Sequence, residues 1–166
     1  MITIRPATEA DLEAITVIYN REVEGTTNTL DTEPRDERLR RTWFGSHEAA
    51  AYPLLVAELD GLVAGWASLS PWSQRGGYAR TVEASVFVAE GCRERGVGRE
   101  LLVALIDAAR QARHRVILAR VESTNEGSRR LARSLGFASV GVMHQVGEKF
   151  GRVLDVELFE LLLEER

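Results

Sequence analysis

The chain has 166 residues and a formal net charge of −4, and 45% of its residues are hydrophobic and 28% charged. This composition predicts one globular domain, residues 1–166, that is large enough to bury a core. The acidic balance argues against nucleic acid as a partner, because nucleic-acid-binding domains carry a strongly basic face. No apolar run approaches the roughly 20 residues of a membrane-spanning helix, so we expect no membrane partner either.

Several features bear on location and metals. Met1 leads at once into Ile-Thr-Ile-Arg-Pro and then a charged segment, so no signal peptide is expected. Cys92 is the only cysteine, and it cannot form an internal disulfide, which is compatible with a reducing cytoplasm. The histidines His47, His114 and His144 lack metal-ligand spacing, so no metal site is predicted. The sequence therefore favours a cytoplasmic, metal-free protein.

The first half of the chain shows helix and hairpin signals. A short strand is predicted at residues 3–5, followed by a helix with Thr8 as its N-cap and Asp11 in a capping-box arrangement. A second helix is predicted from Pro34, in its first turn, toward Ala49. Two apolar runs joined by an Asp-Gly turn at 60–61 then predict a hairpin of strands 54–58 and 62–70.

The second half alternates strands and helices. The predicted elements are a strand at 81–88, a helix at 97–112, a strand at 116–121, a helix at 125–135 and strands at 140–145 and 154–162. Gly136 is a suitable left-handed residue after the second of these helices. The order predicts an α/β (mixed α+β) fold with a mostly antiparallel sheet, one parallel β-α-β crossover around the helix after residue 96, and flanking helices.

A glycine-bearing loop stands between the strand at 81–88 and the helix after it. Gly96 and Gly98 lie in the first turn of that helix, where free backbone N–H groups and the helix dipole favour an anion. The glycines let a phosphate or pyrophosphate approach the backbone, and Arg93, Arg95 and Arg99 add positive charge. A plain strand-to-helix turn is the alternative for two glycines alone.

Other phosphate-binding motifs fit this loop poorly. A dinucleotide-binding fingerprint needs a third glycine where Leu101 stands, and a P-loop needs a Gly-Lys-Ser/Thr sequence that is missing here. The Arg-x-x-Gly-x-Gly pattern after Val86-Phe87-Val88 instead resembles the pyrophosphate-binding motif of the GNAT acetyltransferases. The segment from Asn125 to Phe137, with Asn-Glu-Gly-Ser and Leu-Gly-Phe, resembles the second signature of that family.

The resemblance narrows to the phosphinothricin and methionine-sulfoximine acetyltransferase branch and runs from Ile4 to about Leu161. It rests on segments 18–20, 71–72, 77–78, 81–83, 146–147, 149–152 and 154–155. It implies transfer of acetyl from acetyl-CoA to the α-amino group of a small amino acid or analogue such as phosphinothricin, methionine sulfoximine or methionine sulfone. It also implies a homodimer. The chain departs from the branch at Val153, where tryptophan is usual, and at Ala132, where many GNAT enzymes carry a tyrosine or histidine acid.

The resemblance also implies which residues bind acetyl-CoA. They are Val86, Phe87, Val88, Arg93, Glu94, Arg95, Gly96, Val97, Gly98, Arg99, Asn125, Ser128 and Ser134. The amides of pantetheine are expected to pair with residues 86–88 as an added strand. A backbone N–H of Phe87 or Val88 would then face the thioester oxygen as an oxyanion donor.

Glu83 is the candidate general base, because an ammonium group must lose a proton before it can attack a thioester. It is a lone acid in an apolar strand, where a carboxylate is costly without a purpose or a partner. Strand alternation places it on one face with Ser85 and Phe87. A structural ion pair with a neighbouring arginine is the equal alternative.

The expected substrate-binding residues lie before and within the same strand. They are Trp72, Ser73, Gln74, Arg75, Arg80, Glu83, Ala84 and Ser85. Arg75, with Arg80 as second choice, is expected to hold a substrate carboxylate in a bidentate pair. A polyamine or protein N-terminus is an alternative acceptor, although the loop at 72–78 lacks the clustered carboxylates of a polyamine site. A non-catalytic CoA-binding sensor is the second alternative, which Ala132 keeps open.

Overall fold

The structure, a computed structural model, describes residues 1–47 and 50–163. Within those residues the strands form one sheet of order β1-β2-β3-β4-β5-β7-β6. The strands are β1 (Ile2–Pro6), β2 (Leu54–Leu59), β3 (Leu62–Pro71), β4 (Thr81–Val88), β5 (Val116–Glu122), β6 (Ala138–Lys149) and β7 (Arg152–Leu162). All neighbouring pairs are antiparallel except β4 and β5. The predicted fold class is confirmed.

Four helices of the described chain flank the sheet: α1 (Leu12–Gly25), α2 (Glu37–Gly45), α3 (Val97–Gln111) and α4 (Glu126–Ser134). The predicted start of α2 at Pro34 is wrong by about one turn. The Asp36 side chain accepts a hydrogen bond from the N–H of Leu39 at 2.8 Å, so Asp36 is the N-cap. The predicted end of this helix at Ala49 lies outside the described residues.

The helices pack on both faces of the sheet. Leu101 and Leu105 of α3 belong to one buried cluster, against which Val86 and Val88 of β4 pack. The second cluster contains Ile15 and Tyr19 of α1 with Trp66 of β3, and Phe87 packs against it. Alternate residues of β4 therefore face α3 and α1, as strand geometry requires. Among the described helices, none combines the length and apolar character needed to cross a membrane.

The β6–β7 hairpin is longer than predicted. β6 runs over 12 residues, Ala138–Lys149, and its register with β7 shifts between Ser139 and Gly141 and between Met143 and Gly147. Most residues of β6 are exposed, so the strand has no alternating apolar pattern from which its full length could be inferred. The hairpin carries Lys149 back toward the segment that follows α1, which brings it close to the site.

Candidate active site

A cavity of about 630 Å³ opens between β4 and β5. The two strands pair in parallel only from Thr81–Val116 to Glu83–Leu118, although β4 continues to Val88 and β5 to Glu122. Beyond Glu83 the strands separate, and α3 and α4 begin beside the gap. The cavity is lined by residues of β4, β5, the start of α3, the first turns of α4 and the end of α1.

The glycine loop has the geometry of an anion site. Gly96 is the N-cap of α3 and has a φ of 86°, a left-handed conformation that glycine adopts without strain. A Cβ atom on Gly98 would lie 3.4 Å from both Leu131 and Val88, so any larger side chain would enter the space between α3, α4 and β4. The first N–H groups of a helix have no partner within the helix, and the residues of this first turn line the cavity, which fits a pyrophosphate.

The edge of β4 that faces the gap carries free backbone groups. The N–H of Ala89 donates to the carbonyl of Ala64 at 2.8 Å, and Val88 lies opposite Gly65. Because antiparallel partners alternate between bonded and non-bonded pairs, the N–H of Val88 points away from β3 and into the gap. Two backbone N–H groups are predicted as oxyanion donors. The N–H of Val88 is available to a ligand in the gap, whereas the N–H of Phe87 points to β3.

Most of the residues predicted to bind acetyl-CoA line this cavity: Val86, Phe87, Val88, Arg93, Glu94, Gly96, Val97, Gly98, Arg99, Asn125 and Ser128. Two of the predicted residues lie outside it. Arg95 is 3.8 Å from Asp60 in an exposed ion pair, and the Ser134 hydroxyl donates to the carbonyl of Leu131 at 2.8 Å. The cofactor assignments stay predictions for all thirteen residues.

The arginines near the loop differ in their partners. The guanidinium of Arg93 pairs with the buried carboxylate of Glu22 on α1, so its charge is already balanced. Arg99 and Arg130 also line the cavity, and within residues 1–47 and 50–163 neither forms an ion pair. Arg130 was missed by the sequence reasoning, although it follows Ser128 of the second motif by two residues.

Helix α4 closes the cavity on the side of β5. The side chain of Asn125 caps this helix by accepting a hydrogen bond from the N–H of Ser128 at 3.1 Å. Ala132 lines the cavity and is only 5% exposed. Its methyl group cannot donate a proton, so this position supplies no acid to a leaving thiolate.

Glu83 lies where β4 and β5 separate, and its carboxylate pairs with Arg120 of β5. Arg120 Nε is 2.7 Å from Oε2 and Nη2 is 2.8 Å from Oε1, a bidentate arrangement. The hydrogen bonds that Arg120 donates to Glu83 are the main cause that raises the pKa of Arg120. The ion pair that the sequence left open is present, yet each carboxylate oxygen retains lone pairs for a further donor.

Of the other predicted substrate residues, Ala84 and Ser85 line the cavity, whereas Trp72, Ser73, Gln74, Arg75 and Arg80 do not. Trp72 is nevertheless adjacent, since its ring centroid is 5.7 Å from Cζ of Arg120. Arg75 is exposed, three residues further along this loop. Arg80 donates from Nε to the carbonyl of Arg113 at 2.7 Å. The roles of Arg75 and Arg80 stay predictions.

Three polar residues at the α1 end of the cavity were also missed. Glu22 and Asn28 line it, and the ammonium of Lys149 donates to the carbonyl of Thr29 at 2.8 Å. Burial is the main cause that lowers the pKa of Lys149. Glu22 is 71 residues from its partner Arg93 and Lys149 is 120 residues from Thr29, so no local pattern marks Glu22 or Lys149. In the described part of the chain, no cluster of His, Cys, Asp or Glu residues has the arrangement of a metal site.

Comparisons with known proteins agree with this geometry. Residues 4–158 match the acetyltransferase (GNAT) domain. The L-methionine sulfoximine/L-methionine sulfone acetyltransferase of Salmonella typhimurium is 43% identical over 164 residues, which cover 99% of this chain and 96% of that protein. The phosphinothricin N-acetyltransferase of Streptomyces coelicolor is 40% identical over 163 residues, covering 96% and 95%.

A solved structure is also similar. The acetyltransferase yncA of Salmonella typhimurium, with its cofactor acetyl-CoA, superposes with a TM-score of 0.96 at 42% identity and covers 100% of this chain and 96% of that one. The chain belongs to the GNAT acetyltransferase family. It is an N-acetyltransferase rather than a non-catalytic sensor, and acetyl-CoA is its cosubstrate.

Proposed function

We propose that the chain acetylates the α-amino group of a small amino acid or analogue of the methionine sulfoximine, methionine sulfone or phosphinothricin type. The observation that carries this proposal is the position of Glu83, which lines the same cavity as the glycine loop. Val88 is five residues further along β4, about 17 Å for an extended strand. An amine bound beside Glu83 thus shares the cavity with a cosubstrate held at the helix terminus. The activities of the curated relatives support the acceptor class.

In this proposal the residues of β4 carry the chemistry. Bound acetyl-CoA supplies the acetyl thioester. Glu83 accepts a proton from the substrate ammonium through bridging water molecules, because Val88 lies about 17 Å further along the strand, and Arg120 holds the Glu83 carboxylate in place. The N–H of Val88 stabilises negative charge on the carbonyl oxygen, and the first turn of α3 with Arg99 and Arg130 binds phosphate groups.

The substrate carboxylate is assigned to the loop after β3. Arg75 follows Trp72, whose ring lies beside Arg120, and Arg120 lines the cavity. The Arg75 side chain is exposed and is free of the contact that holds Arg80 against Arg113. Arg75 is therefore preferred to Arg80 for a bidentate pair with a carboxylate.

We also propose a homodimer formed through the β6–β7 hairpin. Among the described strands β6 is at the sheet edge, and Val140, Val142, Val146, Phe150 and Val153 expose apolar side chains along the hairpin. A long apolar edge strand is an association surface unless it is covered. Analytical ultracentrifugation of Val142→Asp should give a monomer, whereas Leu62→Asp, at the exposed start of β3, should stay dimeric. A monomeric parent protein would rule out the dimer.

A cytoplasmic location is proposed as well. The one cysteine, Cys92, is a free thiol, as expected in a reducing compartment. Cell fractionation followed by immunodetection would test it, and recovery in a periplasmic or extracellular fraction would contradict it.

The experiment for the activity is a turnover assay that measures release of CoA thiol. The panel would contain methionine sulfoximine, methionine sulfone, phosphinothricin and the proteinogenic amino acids, with spermidine and an N-terminal peptide as rival acceptors. We expect the highest kcat/KM with one of the amino-acid acceptors. A higher kcat/KM with spermidine or the peptide would show that the enzyme acts on another class of acceptor.

A further inference from the structure

Glu22 is a buried acid of the cavity that the proposed chemistry does not use. Its side chain lines the cavity, and the residue is 5% exposed. Oε1 accepts from the guanidinium of Arg93, while Oε2 accepts from Asn28 Nδ2 at 2.7 Å and from Thr26 Oγ1 at 2.9 Å. Because an ionised carboxylate can only accept hydrogen bonds, it fixes which end of the Asn28 amide faces it.

The other end of that amide is left for a ligand. Asn28 is half-buried and lines the cavity, and its own N–H donates to Thr26 Oγ1 at 3.1 Å. In the described chain no hydrogen-bond donor reaches Oδ1. We propose that Asn28 Oδ1 accepts an N–H of the substrate amine, and that Glu22 is the positioning residue that turns this oxygen toward the cavity. The inference rests on the proposed amine acceptor and adds a recognition residue to it.

The segment around Asn28 is held firmly on both sides. Thr27 Oγ1 donates to the Glu122 carboxylate of β5 at 3.1 Å, and the Lys149 ammonium of β6 donates to the carbonyl of Thr29 at 2.8 Å. Glu122 and Lys149 are each 4% exposed. Buried charges from two strands therefore anchor the neighbours of Asn28, which fixes the acceptor as a binding site requires.

The hydrogen bond from the amine has a defined place in the reaction. The ammonium carries three N–H groups, and one of its protons passes to Glu83 before attack. The nitrogen then bonds to the thioester carbon, the C–S bond breaks with its electron pair on sulfur, and a second proton passes to the thiolate. The N–H that Asn28 holds is the one that remains in the amide product, so the contact can persist throughout and orient the lone pair.

The substitution Glu22→Gln reverses the polarity of this pair. The single oxygen of the new amide accepts the hydrogen bond from Arg93, so the NH₂ group of that amide faces Asn28. Asn28 must then turn Oδ1 to Gln and present Nδ2, a donor, to the substrate N–H. We expect KM for the amine to rise about 10-fold or more, the size of one lost hydrogen bond plus an unsatisfied donor. KM for acetyl-CoA should not rise, because the substitution only releases the charge of Arg93 from its counter-ion. Glu24→Gln, an exposed acid on the same helix, is the matched control.

A second exchange tests the polarity itself. In Glu22→Gln combined with Asn28→Asp, the Gln NH₂ donates to one Asp oxygen and the other oxygen faces the cavity as an acceptor again. The amine KM should return to within about threefold of the parent value, below that of Glu22→Gln alone. If Glu22→Gln fails to fold, Asn28→Ala removes the acceptor, together with the donor to Glu22 Oε2, and should still raise the amine KM.

The outcomes separate this inference from the proposed function. A parent enzyme that acetylates an amino acid, with an amine KM unchanged in Glu22→Gln and Asn28→Ala, would overturn the role of Asn28 alone. Equal rises in both KM values, or no recovery in the exchanged pair, would also overturn it. A parent enzyme that acetylates no amine would instead overturn the proposed function.

Discussion

The carboxylate of Glu83 and the guanidinium of Arg120 face each other across the parallel pair β4 and β5, with N–O distances of 2.7 and 2.8 Å. The pair lies at the last paired position, Glu83–Leu118, beyond which the strands separate. It therefore joins the two walls of the cavity where the cavity begins. A carboxylate in this place can serve both as a strut between strands and as the group that receives a proton.

The substitution Glu83→Gln distinguishes these roles. Glutamine keeps the shape and part of the hydrogen bonding but cannot act as a base, so we expect kcat to fall by about 10²–10⁴. The defect should shrink at high pH, where more of the substrate amine is already neutral, and KM for acetyl-CoA should barely change. The measurement is kcat/KM against pH for both proteins, alongside their melting temperatures. If the variant is destabilised and its kcat/KM is the same fraction of the parent value at every pH, Glu83 has only the structural role of joining the two strands.

Gly98→Val tests the glycine loop. The Cβ of any residue at this position would lie 3.4 Å from Val88 and Leu131, so the valine methyl groups must enter the cavity. We expect KM for acetyl-CoA to rise about 10-fold or more while the helix still folds. Gly91→Val is the control, because a Cβ there meets nothing within 4 Å. An unchanged KM in folded Gly98→Val would remove the loop from the cosubstrate site.

Arg75→Ala tests the substrate carboxylate. We expect KM to rise for an amino acid but to change little for the corresponding amide, because only the acid loses a charge-assisted pair. Arg80→Ala serves as the comparison, since its Nε is engaged by the Arg113 carbonyl. Equal losses for acid and amide would show that Arg75 positions something else, and a selective loss in Arg80→Ala would exchange the two assignments.

The loss of stability at acid pH should depend on Asp11. Hydrogen bonding from Arg5 is the main cause that lowers the pKa of Asp11 from 3.8 to about 2, and the residue is 6% exposed. A lowered pKa stabilises the fold above the unfolded value, and this stabilisation is lost as the pH falls from about 4 to 2. Asp11→Asn should thus cost about 2 kcal/mol in the free energy of unfolding at pH 7, and less at pH 3.

Urea unfolding at the two pH values measures this effect. Asp107→Asn is the control, because its pair with Arg110 is an exposed one and such pairs contribute about 0–1 kcal/mol. A loss of the same size at pH 7 and pH 3 in Asp11→Asn would show that the carboxylate charge is not the stabilising element.

The sequence predicts most of the fold because its periodic segments are buried on one side. The strand at 81–88 has the observed bounds, and α3 begins at Val97 as predicted and ends at Gln111, one residue before the predicted end. The Asp60–Gly61 turn follows from two residues that accept positive φ. The predicted bounds are wrong where the residues are exposed and show no hydrophobic pattern, as in β6. They are also wrong where a side-chain cap sets the start of a helix, as Asp36 does for α2.

The polar part of the site is less predictable because its contacts join distant segments. Arg120 is 37 residues from Glu83, and only the parallel register of β4 and β5 brings them together. Glu22 is 71 residues from Arg93, and Lys149 is 120 residues from Thr29. Each of these residues looks like an ordinary surface charge until the fold places it. The glycines and Glu83 could be found because backbone conformation and an apolar strand set them apart locally.

The burial of Lys149 has a consequence for self-modification. It is the only lysine of the chain, it is 4% exposed, and its protons are directed to backbone carbonyls. An enzyme that binds a reactive thioester can acylate its own surface lysines, and this enzyme has no lysine on its surface. A lysine-directed acylating reagent should therefore leave Lys149 unlabelled in the native protein. The fraction of Lys149 that is labelled, measured by peptide mass spectrometry, would then report the fraction of unfolded protein, since only unfolded molecules expose that amine.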